Sequence, residues 1–148
     1  MKPLIVLITA FLLGLAAMWL FGWGGGYKLA MRIGMSGMLL FTAMGHFAFT
    51  KGMMMMLPNI VPYKKALVYI TGFIEIVAAI GLLAPGYEKI TGWALIVFFI
   101  LILPANIYAA VKNVNYQTGT YNGAGRNYLW FRVPLQVLFI AWTHISIN

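Results

Sequence analysis

Apolar residues run along this chain in long blocks, not in the alternation of a half-buried strand or the single stripe of a surface helix. Five blocks reach or nearly reach the roughly 20 residues that carry a helix across a bilayer. They cover residues 3–23, 29–49, 66–84, 91–111 and 128–147. The first carries no charge after Lys2 and ends in Phe21-Gly22-Trp23, without a small-residue cleavage site. It is expected to be a retained helix, not a signal peptide. The joints are of a different composition. Gly24-Gly25-Gly26 is a flexible break, and Pro85-Gly86 is a tight turn. Residues 51–65 hold four consecutive methionines, Pro58 and Pro62, a segment too short and too broken to span and expected at the membrane interface. Residues 113–127 form a polar, glycine-rich loop. Trp23, Trp93, Tyr128 and Trp130 fall near block ends, where an aromatic belt sits.

Composition strengthens this reading. Of 148 residues, 63% are hydrophobic and 8% charged, and the mean hydropathy is +0.91. Soluble domains carry roughly a quarter charged residues, and two Asp/Glu cannot coat a soluble surface of this size. The expected fold class is an all-α membrane protein. The ten Lys/Arg, giving net charge +8, are scattered between apolar blocks. That pattern fits anionic lipid headgroups and not the contiguous basic face of a nucleic-acid binder. With no cysteine, the chain has no disulfide, thiolate metal site or cysteine nucleophile. No phosphate loop, HExxH or CxxC motif occurs, and no metal site is expected.

Counting Lys/Arg by side sets an orientation. Lys2, Lys51, Lys64, Lys65, Lys112, Arg126 and Arg132 collect on one side, and Lys28, Arg32 and Lys89 on the other. The positive-inside rule then places the N-terminus in the cytoplasm.

Glu75 stands midway along the third block. A charge at that depth costs roughly 2.5–3.5 kcal/mol on insertion scales, so it calls for a partner or a function. Gly72 and Ala79 share its helical face and form a small-residue stripe against which another helix can close. Arg132 is the expected partner: with Pro134 in the first turn of its helix, it sits near a positive dipole end that a carboxylate would offset. Gln136 lies four residues on. Pro104 frees a carbonyl and bends the fourth helix just before Asn106. At 1.5 Å per residue, His46, Asn106 and Gln136 lie roughly 5–10 Å below one surface and Glu75 about 14 Å below it. Glu75, Arg132, Gln136, Asn106 and His46 are thus the candidate ligand-binding cluster. Its functional reading, a ligand or proton site, stands beside a bland one, a buried structural ion pair.

Gly45-His46-Phe47, Tyr69-x-x-Gly72-x-x-Glu75-Ile76, Gly81-Leu82-Leu83-x-Pro85, Pro104-Ala105-Asn106-Ile107 and Arg132-Val133-Pro134-Leu135-Gln136 occur in that order. Together they resemble the DoxX-like membrane proteins, from about Arg32 to Trp142. The resemblance implies a four-helix transmembrane bundle over residues 25–148, with residues 1–24 as one additional N-terminal transmembrane helix. The founding DoxX/DoxD pair are subunits of a membrane thiosulfate:quinone oxidoreductase. The resemblance therefore implies a redox-linked subunit of the cytoplasmic (inner) membrane that binds a quinone or lipid-like molecule, with other membrane subunits or further copies of itself as partners. His46, Glu75, Asn106, Arg132 and Gln136 match the family's recurrent polar positions, but no catalytic residue follows. The alternatives are a non-catalytic accessory subunit whose polar cluster is structural and, more remotely, a small transporter.

Overall fold

The computed structural model describes residues 2–22 and 24–148; Trp23, expected in the aromatic belt, lies outside the described residues. The described chain is helical: α1 (Lys2–Phe21), α2 (Gly26–Ala48), a short α3 (Thr50–Met55), α4 (Lys64–Leu83), α5 (Glu88–Val111) and α6 (Leu129–Ile147), the last preceded by one 3₁₀ turn, Arg126–Tyr128. Each expected apolar block is a helix, with ends displaced by a few residues. Three of them, α1, α4 and α5, are long and apolar enough to cross a membrane. This fits a membrane protein.

The expectation of five spans is modified at α2 and α6, which are not among the helices apolar enough to cross a membrane. These two helices carry Arg32, Ser36, His46, Arg132, Gln136, Thr143 and Ser146. Ser36, Gln136, Thr143 and Ser146 are buried. Polar residues on them face protein, so their composition reflects neighbouring helices more than a lipid environment. The helix α2 touches α1, α4 and α6, while α5 touches α4 and α6.

Close helix approach depends on missing side chains, as expected where apolar burial against lipid drives little association. A Cβ on Gly34 would lie 2.9 Å from the Leu7 carbonyl oxygen and 3.0 Å from Phe11 Cβ, and one on Gly37 would lie 3.0 Å from Ala10 Cβ. These two glycines seat α1 on α2. Leu7 is fully buried in the core with Met35, Leu39, Leu82 and Leu95. Phe11 meets Trp142 of α6 edge to face at 5.1 Å, and Trp142 Nε1 donates to the Met31 carbonyl at 2.9 Å.

Turn chemistry closes the other joints. Between α4 and α5, the Tyr87 N–H donates to the Ala84 carbonyl at 3.1 Å across Pro85-Gly86. Gly86 takes φ +85°, the left-handed value that this turn needs at its third residue. The segment expected at the interface opens with α3, which packs against the 113–127 loop. Gly52 is buried, with no room for a Cβ beneath the Tyr116 carbonyl, and Phe49 meets Tyr116 ring to ring at 6.1 Å. Helix α6 begins five residues before Pro134, so the proline sits in the second turn and not the first.

Candidate functional site

The site begins where α4 lies against α2. A Cβ on Gly72 would come within 2.9 Å of His46 Cβ and 3.3 Å of the Phe47 ring. Further along the same stripe, Ser36 Oγ donates to the Ala79 carbonyl at 2.8 Å. The small-residue face of α4 therefore receives α2, and this decides the partner of Glu75. His46 Nε2 stands 3.5 Å from Glu75 Oε1. The expected Glu75–Arg132 ion pair does not form: among the described residues the ion pairs are His46–Glu75 and Arg32–Glu88. The depth estimate assumed the helix neighbours, and the α2–α4 contact selects His46.

Thr71, one turn before Glu75, completes the arrangement. Its hydroxyl lies 2.9 Å from both the Leu67 and Val68 carbonyls and 3.1 Å from His46 Nδ1. A hydroxyl has one hydrogen. Committed to those carbonyls, it leaves an oxygen lone pair to accept from Nδ1–H. This assigns the Nδ1 proton and turns Nε2 toward the Glu75 carboxylate. At 3.5 Å their contact is longer than a charge-assisted hydrogen bond of about 2.8 Å, so neither group is saturated by the other. Glu75 is 5% exposed, and its Oε2 is buried without a hydrogen-bond partner among the described residues. Buried carboxylate oxygens are normally satisfied, and one that is not points to a ligand or a strained role.

A cavity of about 510 Å³ is bordered by Glu75. His46, Glu75, Asn106, Arg132 and Gln136, all five candidates, border it. They act differently within it. Gln136 is buried and donates from Nε2 to the Phe99 carbonyl at 2.8 Å. That carbonyl neighbours the Ile100 carbonyl, whose usual donor, the N–H of residue 104, is absent at Pro104. Gln136 is thus largely spent on bracing the broken turn of α5. Arg132, half-buried, places its guanidinium over the Tyr128 ring at 5.8 Å and has no carboxylate within ion-pair distance among the described residues. The Asn106 amide, half-buried on α5 beyond Pro104, has no hydrogen bond to protein among the described residues.

The rest of the wall is apolar and rich in thioethers: Met38, Met44, Met53 and Met56 border the cavity with Phe99 and Phe139. Two of the four consecutive methionines therefore line the cavity, where surface packing was expected. Thr71 went unnoticed in the sequence, Tyr128 was read only as a belt residue and the methionine run only as interface packing. Thr71 was findable, because i−4 places it on the face of Glu75. At the loop end, Lys2, Pro3, Tyr116 and Gln117 border the same space. Among the described residues no cluster of three or more His, Cys, Asp or Glu is placed to hold a metal ion.

No curated protein and no solved structure matches the chain. A family model does match, over residues 35–146, from the middle of α2 to the end of α6 and without α1. The chain belongs to the family described as Domain of unknown function (DUF8561).

Proposed function

We propose that this chain is a DoxX-like, multi-pass protein of the cytoplasmic membrane that binds a quinone or a similar lipid-like molecule as a subunit of a redox-linked complex. In this reading α2, α4, α5 and α6 are a four-helix transmembrane bundle over residues 25–148. Helix α1, in residues 1–24, is an added transmembrane helix, and the N-terminus is cytoplasmic. The supporting observation is Glu75, whose buried Oε2 has no hydrogen-bond partner among the described residues and which borders a cavity of a volume in the ordinary range for small-molecule sites. A quinol hydroxyl donates to that oxygen. A quinone carbonyl accepts from the Arg132 guanidinium or the Asn106 amide on the other side of the space. The methionine and phenylalanine walls hold an isoprenoid tail.

The test is quinone content. Protein extracted from membranes in mild detergent is expected to carry quinone at close to one per chain, and Glu75→Gln at least tenfold less. Wild-type protein without quinone, or equal content in the variant, overturns the reading. The second reading, an accessory subunit with a structural polar cluster, draws on Gln136 being committed to the Phe99 carbonyl. It predicts that Glu75→Gln changes partner assembly and not ligand content.

A further inference from the structure

A second cleft, of about 440 Å³, lies at the loop end of the molecule, where the C-terminus of α5 meets α3 and the start of α4. Lys51 of α3, Lys64 at the first residue of α4 and Lys112 just after α5 all border it. The whole chain has only two side-chain carboxylates, Glu75 and Glu88. These face His46 and Arg32. Three ammonium groups therefore share one cleft with no acid in the chain left to answer them.

Two further observations give the cleft a direction. Lys64 Nζ donates to the Leu57 carbonyl at 2.9 Å and to Asn59 Oδ1 at 3.0 Å. That fixes the head of a side chain that otherwise waves freely, and leaves one of its three hydrogens unassigned. The α4 N-terminus behind it has no side-chain cap: Tyr63, at the N-cap position, offers its first turn no acceptor. The orphan N–H groups of a 20-residue helix and its positive dipole end thus add to the lysines. A cation as the first residue of a helix is itself unfavourable, and a bound anion reverses that penalty. The Tyr108 and Tyr121 hydroxyls add donors, and Met54 and Met55 add an apolar wall.

We infer that this cleft binds the phosphate of an anionic phospholipid headgroup, with the acyl chains lying along Met54 and Met55. The inference rests on the membrane reading above but not on the quinone cavity. Lysines at a membrane surface contribute about fivefold each to binding of anionic lipid. The end that carries them is also the one to which the charge count assigns the cytoplasmic, anionic leaflet.

The experiment is native mass spectrometry of the full chain in mild detergent, titrated with phosphatidylglycerol, phosphatidylcholine or inorganic phosphate. The Lys51→Gln/Lys112→Gln variant spares the Lys64 contacts. Lys28→Gln/Lys89→Gln, at the opposite end, controls for net charge. One phosphatidylglycerol is expected to bind in preference to phosphatidylcholine. The first variant should weaken it about 25-fold, and the control should leave it within about twofold. Equal binding of the two lipids, or equal losses in variant and control, overturns the inference. Displacement of the lipid by inorganic phosphate at comparable concentration also overturns it, by showing a soluble-anion site. Quinone content, measured on the same samples, is expected to be unchanged in both variants.

Discussion

Replacing His46 and Glu75 by leucine, singly and together, gives a non-additive stability pattern that follows from their geometry. The side chains are 15% and 7% exposed and 3.5 Å apart. Were both groups charged at that separation, they would attract by about 5 kcal/mol at an effective dielectric of about 20. His46→Leu strands the carboxylate, whose Oε2 already lacks a partner, and is expected to cost about 3–5 kcal/mol. Glu75→Leu leaves an imidazole that still donates from Nδ1 to Thr71 and loses only its Nε2 neighbour, an expected cost of about 1–3 kcal/mol. The double variant strands nothing and places two apolar groups at the α2–α4 seam, so it is expected within about 1 kcal/mol of the wild type. A chain of this size loses about 2–4 °C of melting temperature per kcal/mol. Thermal unfolding in mild detergent should therefore show His46→Leu about 6–20 °C low and the double variant close to the parent. A double variant that loses the sum of the single losses would show that the two residues act independently, and the pairing argument fails.

Three further perturbations probe the surrounding scaffold. In this cysteine-free chain, Ala10→Cys/Gly37→Cys is expected to cross-link under mild oxidation in membranes, since a Cβ at Gly37 falls 3.0 Å from Ala10 Cβ and a slight shift reaches the roughly 3.5–4.5 Å of a disulfide; failure would mean that α1 does not dock there. Gly52→Ala drives a Cβ into the Tyr116 carbonyl, so limited proteolysis should cut the 113–127 loop faster while leaving the α4–α5 turn as it was. Gln136→Leu deprives the Phe99 carbonyl of its buried donor and is expected to cost about 1–3 kcal/mol, read as a melting temperature about 2–12 °C lower; an unchanged value would show that α5 needs no brace at Pro104.

The sequence made the helices legible because a bilayer imposes one length on every crossing segment and the joints are rich in glycine and proline. It also made the candidate residues legible: polar groups in apolar blocks are so costly that each one draws notice, and all five border one cavity. The pairing was not legible. Arg132 seemed the natural partner of Glu75 because charge was weighed and neighbourhood was not. The deciding residue was Gly72, whose missing side chain admits His46, and a glycine does not say which helix it admits. Of the five expected spans, α1, α4 and α5 are long and apolar enough to cross a membrane, and α2 and α6 are not. Both of these carry polar residues that are buried in the described structure.

The four methionines of the cavity wall have a consequence for what the site discriminates. Methionine is unbranched, has three rotatable side-chain bonds and carries a polarizable sulfur, so a surface of Met38, Met44, Met53 and Met56 reshapes itself around whatever lies against it. His46 is held differently, pinned on one side by Thr71 and pressed from behind by the backbone of Gly72. Under the proposed function, selectivity would be divided along the length of the space. Its polar end would read a headgroup by fixed hydrogen-bond geometry, and its methionine end would accept chains of differing length and branching with little loss of affinity.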